Sequence, residues 1–307
     1  MNNLIKNAGV VVPTLNAAQK IETLLGILTR AFVPSSVIVV DSESVDGTAD
    51  IARKFGCRVI SVRRDDFDHG SARNLGALAL DEEFIFFLTD DAVPEGPETF
   101  HELLRPFADS SVAACYARQL PRRNAEPLEA FSRVFNYPDS PRLQSKEFIS
   151  AFGIKAFFMS DSCSVYRRSL FDKMGRFPEP CLTNEDMYMA AKLILAGYAV
   201  RYTPEARVIH SHRLSFTAQF KRYFNLGVFF EQNAWILSEA PLASEGLRFL
   251  RSEFSYLLKN KHFLSLLRVG SDAVARYAGL KLGISHKRFP LSWAHRLSGY
   301  PAYLKIR

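Results

Sequence analysis

Residues 84–91 read FIFFLTDD, five unbroken apolar residues that end on three polar ones. A run this short and this bulky suits a strand buried on both faces, the kind found in parallel sheets. Toward the N-terminus, three more stretches have the same character. They are Gly9–Pro13, Val37–Val40 running straight into Asp41, and Cys57–Val62. Helical patterns separate them, at about Ala17–Thr29, Thr48–Phe55 and Ser71–Leu80, with Gly56 closing the second. Alternation of this kind predicts an α/β fold, a mostly parallel sheet flanked by helices. Ligands of such sheets bind beyond the carboxyl ends of the strands. Pro13-Thr14, Asp41 and Asp90-Asp91 occupy those ends, so three strands deliver polar groups to one edge.

Toward the C-terminus, Pro97–Phe107 reads as helix and Val112–Ala117 as strand, whereas 121–154 shows no clean period. Thr183–Ala196 is a helix with Thr183 or Asn184 as its cap, acids in its first turn and Gly197 at its end. Tyr198–Tyr202 and Ala206–Ile209 read as two short strands, and the pattern from Ser215 onward is helical and aromatic. The chain of 307 residues is 48% hydrophobic and 23% charged, which suits one globular domain with an appendage. Its four cysteines are scattered without CxxC spacing, which argues against a zinc site or a disulfide framework. The N-terminus lacks the apolar core of a signal peptide, and no run reaches the ~18 residues of a membrane span. A cytoplasmic chain, or one attached to a membrane without crossing it, is therefore expected. No GxGxxG follows the first strand, and neither GxxxxGK[ST] nor GxSxG occurs, so dehydrogenase, P-loop and hydrolase readings lose their support.

Several constellations can carry chemistry. Asp90-Asp91 can share a divalent cation that neutralises a diphosphate, or can be a solvated turn. Asp41 can accept hydrogen bonds from a base or a ribose; the rival role, capping the next helix, suits Asp46 or Thr48 better. In Asp68-His69-Gly70 with Arg73-Asn74, Arg73 offers a fork for a phosphate at a helix start, or the segment is a surface loop with an exposed helix start. Glu185-Asp186 supplies a general base, or merely favourable acids in a first turn. In His210-Ser211-His212, one imidazole can complete a metal site, or each can pair with the backbone.

The order VVVPTLNAA, VIVVDSESVDGT, FDHGSARNLGA, FIFFLTDDAVP, NEDMYMAAKLILAGY and VIHSH resembles glycosyltransferase family 2 over about residues 8–225. The form FDHGSARN is most like the family's bacterial rhamnosyltransferase branch. The resemblance implies a GT-A fold and an inverting, metal-dependent hexosyltransferase. It places residues 1–214 in the catalytic domain, with a nucleotide-sugar-binding half to about 118 and an acceptor-binding half from about 119. Pro13, Thr14, Asp41, Ser44, Arg73 and Asp90 would then bind the nucleotide sugar. Asp91 and His210 would hold Mg2+ or Mn2+, with His212 as the alternative to His210. Asp186 would be the catalytic base and Glu185 its support. The sequence has TDD where the family pattern is DxD, so Thr89 replaces the first carboxylate. The implied partners are a dTDP- or UDP-sugar donor, with rhamnose as the leading sugar, and a saccharide acceptor, lipid-linked, in surface polysaccharide synthesis.

Charge is unevenly spread. Residues 1–200 carry 22 Lys and Arg against 26 Asp and Glu; residues 201–307 carry 17 against 6. Within 246–307 the balance is 12 against 2, interleaved with apolar residues. As a helix this segment places Leu247, Leu250, Phe254, Leu257 and Leu258 on one stripe. A basic amphipathic region over 215–307 predicts either a helix lying on an anionic membrane, at the inner face of the plasma membrane, or an appendage packed on the catalytic domain. Nucleic acid is not expected as a partner. Two other functions compete. A nucleotidyltransferase would carry a glycine-rich loop after the first strand, and PTLNAAQK has no glycine. A nucleotide-sugar-binding protein without turnover would release no nucleoside diphosphate.

Overall fold

The computed structural model describes residues 4–241, 245–300 and 303. The expected alternation is present as β1 (Ala8–Thr14), α1 (Ala18–Ala31), β2 (Val37–Asp41), α2 (Thr48–Lys54), β3 (Arg58–Ser61), α3 (His69–Leu78) and β4 (Phe84–Leu88). Every residue of β2 and β4 is buried, and Pro13 alone in β1 is partly open. Alternate residues serve opposite faces: Val10, Val12 and Phe86 join one apolar layer with Leu24 and Phe100, and Val11, Ile38 and Phe87 join the other with Phe171 and Ile194. Each fully buried side chain of this size contributes roughly 1.5–3 kcal/mol. β1 lies parallel between β2 and β4, in a register that sets Thr14 opposite Asp41 and Val10 opposite Phe86.

The next elements are β5 (Val93–Pro94), α4 (Glu98–Leu104), β6 (Val112–Leu120), α5 (Pro127–Asn136), β7 (Arg142–Gln144), α6 (Ile149–Phe152), β8 (Cys163–Arg167), α7 (Arg168–Lys173), α8 (Glu185–Leu195) and β9 (Ala199–Ile209). The sheet order is β3-β2-β1-β4-β8-β6-β9-β5, with β7 paired to β9. It is parallel from β3 to β4 and mixed beyond, because β8 runs antiparallel to both β4 and β6. Two expected features differ. The short strands at Tyr198–Tyr202 and Ala206–Ile209 form one strand, β9, whose pairing with β6 jumps from Ala117–Thr203 to Arg118–Arg207. That bulge takes up Pro204, which has no N–H to give the ladder. The helix α8 has Asn184 at its N-cap position, but neither Asn184 nor Thr183 caps it: Asn184 is left-handed, with φ of 61°, and makes no side-chain cap bond.

The C-terminal region comprises α9 (Phe216–Gln232), α10 (Ala234–Glu239), α11 (Glu245–Lys259), α12 (Phe263–Ile284) and α13 (Leu291–Ser298). Glycines let α9 and α12 touch backbone to backbone. A Cβ on Gly227, Gly279 or Gly283 would run into the carbonyls of Leu280, Phe220 and Phe224 respectively. α11 packs on α5, with Phe249 and Tyr256 at ring-centroid distances of 5.1 and 5.3 Å from Phe131. The predicted apolar stripe is therefore split. Leu257 is interior, whereas Leu247, Phe254 and Leu258 face outward. Among the described residues no helix is long and apolar enough to cross a membrane.

Candidate active site

β1 and β2 end side by side, and their last residues bond. Thr14 Oγ1 donates to Asp41 Oδ1 at 3.0 Å, and Ser44 Oγ donates to the same oxygen at 2.6 Å. The Ser44 N–H donates to Oδ2 at 2.9 Å. Asp46 serves the turn instead, accepting from Thr48 and from the Ala18 N–H at the start of α1. Asp41 is thus relieved of capping, and its Oδ2 keeps a lone pair for a ligand's donor. Pro13 and Thr14 sit at the same strand end, next to β4 and its TDD turn.

The two aspartates of that turn part company. Asp90 points toward Lys20 at 3.9 Å, and burial, opposed by Lys20, pushes its carboxyl up to about 6. Asp91 faces both histidines, with Oδ1 3.4 Å from His210 Nε2 and Oδ2 3.1 Å from His212 Nε2. Burial would raise Asp91, but hydrogen bonds and charge from His210 and His212 outweigh it and hold the carboxyl well below the usual range. Burial lowers His210, favouring the neutral imidazole that ligates metals. Asp91, His210 and His212 bring one ligand atom each within 4.8 Å of one another. Ser211 turns the other way, donating to Glu129 Oε1 at 2.5 Å, and Glu129 is gripped by Arg122 at 2.9 Å. The alternation in His-Ser-His thus points both rings at Asp91 and ties the loop between them to α5.

The third group gathers around the start of α8. Arg73 pairs with Glu185 at 3.0 Å, both side chains buried. The guanidinium offered by the sequence to a phosphate is engaged internally, because a buried carboxylate needs its charge. The rest of FDHGSARN has the same office. Asp68 caps α3 through Ser71 and accepts from the Cys181 N–H at 3.1 Å. Asn74 holds Phe177 from both ends of its amide. Gly70 leaves room for the Pro178 carbonyl, where any Cβ would collide. Together they fix the loop that carries Glu185 and Asp186. The Asp186 carboxylate accepts from the Met187 N–H at 2.7 Å and from the Asp161 N–H at 3.3 Å. Burial, then the charges of Glu185 and Asp161, raise its pKa well above the ordinary value.

Asp161, which the sequence reading passed over, lies with them. Its Oδ1 accepts from Ser164 at 2.5 Å and Tyr166 at 2.8 Å, while Oδ2 is buried without a partner. Burial raises its carboxyl to about 6. Its only trace in the sequence is the polar triplet Ser160-Asp161-Ser162 ahead of β8. Arg73, Asp161, Glu185 and Asp186 open on a cavity of about 490 Å3 with walls from Phe135, Tyr137 and Phe158. A smaller hollow of about 120 Å3 carries His212. Asn136, Arg222, Tyr223 and Phe249 wall both, so the histidine side and the Asp186 side adjoin.

Residues 9–175 match the family model "Glycosyl transferase family 2". The chain is 40% identical over 298 residues to the O-antigen chain rhamnosyltransferase WbaN of Salmonella anatum, covering 96% of this chain and 94% of that one. It is 39% identical over 298 residues to the O-antigen chain rhamnosyltransferase RfbN of Salmonella typhimurium, at 96% and 95% coverage. Among solved structures it resembles the mannosyltransferase PcManGT from Pyrobaculum calidifontis in complex with GDP-Man and Mn2+, with TM-score 0.59, 20% identity, and 99% and 86% coverage. It also resembles S. aureus TarS in complex with UDP-GlcNAc, with TM-score 0.53, 14% identity, and 92% and 91% coverage. The fold is the GT-A type that the family resemblance implied. The chain belongs to glycosyl transferase family 2, and it is a glycosyltransferase.

Proposed function

We propose that the chain is an inverting, metal-dependent rhamnosyltransferase. It moves its sugar from a dTDP- or UDP-linked donor to a lipid-linked saccharide of O-antigen type, at the inner face of the membrane. The observation that carries the reading is the convergence of Asp91, His210 and His212 on one point, beside a cavity that holds Asp186. The names of the two Salmonella relatives support rhamnose and the O-antigen acceptor.

In this reading residues 1–214 form the catalytic domain. The Thr14–Asp41–Ser44 edge binds the base and ribose, with Pro13 and Asp90 beside it. Two imidazoles and one carboxylate fit Mn2+ better than Mg2+, which prefers oxygen ligands. A divalent cation held there supplies positive charge against the departing diphosphate. Asp186 takes the proton from the acceptor hydroxyl, and that oxygen attacks the anomeric carbon from the face opposite the leaving group. One displacement inverts the centre. Arg73 steadies Glu185, and through it the start of α8, so that Asp186 keeps its place.

A panel of nucleotide sugars read by thermal shift, with and without Mn2+, tests the donor. The right donor raises the melting temperature in proportion to the logarithm of its concentration above Kd. Asp91→Ala should abolish the Mn2+-dependent part. Asp186→Asn should bind donor normally and lose roughly 10²–10⁴-fold in transfer rate, the usual contribution of a positioned base. Transfer at the normal rate by Asp186→Asn would overturn the assignment of the base.

A further inference from the structure

Gln119 lies on the part of β6 that extends past the bulge, and it is only 3% exposed. All its polar atoms are in use. Its Oε1 accepts from Arg133 at 2.7 Å and faces His210 Nδ1 at 2.9 Å, and its Nε2 donates to Ser160 Oγ at 2.7 Å. Arginine can only donate, so the amide oxygen must be the atom that faces it. The same oxygen meets His210 Nδ1, and two acceptors at 2.9 Å would repel, so Nδ1 carries a proton. A neutral imidazole has one N–H. In the neutral ring the lone pair is then left on Nε2, the atom turned toward Asp91 and 3.0 Å from His212 Nε2, which can donate to it.

We propose that Gln119 is a positioning residue for the cation site: it fixes His210 as the Nδ1–H tautomer and so presents Nε2 as a ligand. The alternative tautomer would place a proton on Nε2, where the Asp91 carboxylate would welcome it, and that proton would block the ligand atom. Arg133 makes the arrangement one-way, since its guanidinium prevents the Gln119 amide from turning its NH2 group to the ring. The Ser160 bond ties this lock to the segment whose Asp161 N–H reaches Asp186. One amide thereby registers the histidine side of the site against the Asp186 side. The inference rests on the proposed cation at Asp91, His210 and His212.

The test uses the full chain, with Gln119→Leu removing the acceptor and Gln119→Glu keeping two acceptor oxygens for Arg133 and His210. Metal-free protein labelled with 15N is examined above the imidazole titration range. His210 should carry its proton on Nδ1 in the wild type and in Gln119→Glu, and on Nε2 in Gln119→Leu. Calorimetric titration with Mn2+ should show affinity about 10–100-fold weaker for Gln119→Leu, the usual cost of losing an outer partner, and close to wild type for Gln119→Glu. Should Gln119→Leu not fold, the wild-type spectrum and the Gln119→Glu titration decide the matter. An Nε2 proton in a wild type that binds Mn2+ overturns the role of Gln119 alone. So does undiminished Mn2+ affinity in a folded Gln119→Leu, or a tenfold loss in a folded Gln119→Glu. A wild type that takes up no Mn2+ overturns the cation assignment itself, and this role with it.

Discussion

Three acids, Asp161, Glu185 and Asp186, share one buried guanidinium, that of Arg73, at the end of the large cavity. Burial and mutual repulsion raise Asp161 to about 6 and raise Asp186 well above its ordinary value too. A carboxyl raised in the folded state stabilises the protein fully below its unfolded pKa of about 4, and that stability is lost as pH rises through the folded value. The free enzyme should therefore lose stability between about pH 4 and pH 6. Asp161→Asn should lessen that loss: its amide oxygen still accepts from Ser164 and Tyr166, and no charge remains to be buried. We expect the variant to gain roughly 1–3 kcal/mol at pH 7, with melting curves across pH as the check. Removing that charge also lowers the pKa of Asp186, so the acid limb of kcat/KM should move to lower pH. An unmoved limb would dissociate Asp161 from the base. Arg73→Ala has the opposite sign: it leaves Glu185 buried and unpaired, at a cost of about 3–5 kcal/mol. Residues at strand ends or helix starts, such as Thr14, Asp41, Asp91 and Asp186, were legible in the sequence because local pattern puts them there. Asp161 and Gln119 were not: the charges around Asp161 come from Arg73, Glu185 and Asp186, and the Gln119 amide meets Arg133, Ser160 and His210, all brought in by the fold.

Among the elements, those with a local signature were legible too. β1, β2 and β4 are continuous apolar runs, and α3 and α8 begin and end near their marked residues. β8 had no such mark. CSVYR is short, follows three polar residues and becomes a strand only because β4 and β6 leave a slot that an antiparallel partner fills. The segment 121–154 was opaque for mixed reasons: β7 is three residues long and is a strand through its pairing with β9, whereas α5 carries a local mark, Pro127 in its first turn and a Glu126–Glu129 capping box, that the period alone did not reveal. The α9–α12 crossing was hidden differently, in glycines that leave a helical period undisturbed. Gly279 and Gly283 stand one helical turn apart and meet the α9 backbone at Phe220 and Phe224. Any side chain there must push the helices apart. Gly283→Leu should cost about 1–3 kcal/mol, the usual range for overpacking, and should loosen Arg222 and Tyr223 over the cavity. Chemical denaturation measures the first effect, and a rise in acceptor KM larger than that in donor KM measures the second. An unchanged midpoint would mean that α12 is not held by this contact.

The whole molecule divides its labour by charge and exposure. The first two hundred residues are weakly acidic, and the last third carries the whole basic surplus. The helices of that third serve two surfaces. Their inner side closes the hollows beside the active site, through Tyr223, Phe249 and ion pairs such as Arg276–Glu253 at 2.7 Å. Their outer side shows Phe254, Leu258, Phe263, Leu264 and Leu267, with Leu264 at 84% and Leu267 at 82% exposure. Arg251, Lys259 and Lys261 accompany them around the α11–α12 turn. The basic segment thus packs on the catalytic domain along one face and leaves another open. In the proposed function the open face lies on anionic lipid and brings the cavity to a lipid-linked acceptor. Burying each leucine in the interface is worth roughly 1.5–3 kcal/mol, and each basic residue near an anionic surface about 1 kcal/mol. Leu264→Glu with Leu267→Glu should therefore reduce binding to phosphatidylglycerol vesicles by at least about tenfold. Wild-type binding should also weaken with salt, and vesicles of neutral lipid should bind little. Neither leucine lines either hollow, so donor binding in solution should not change. Co-sedimentation at several salt concentrations decides it: a double variant that pellets with anionic vesicles as well as the wild type would remove the α11–α12 turn from the membrane, and the basic surplus would then need another partner.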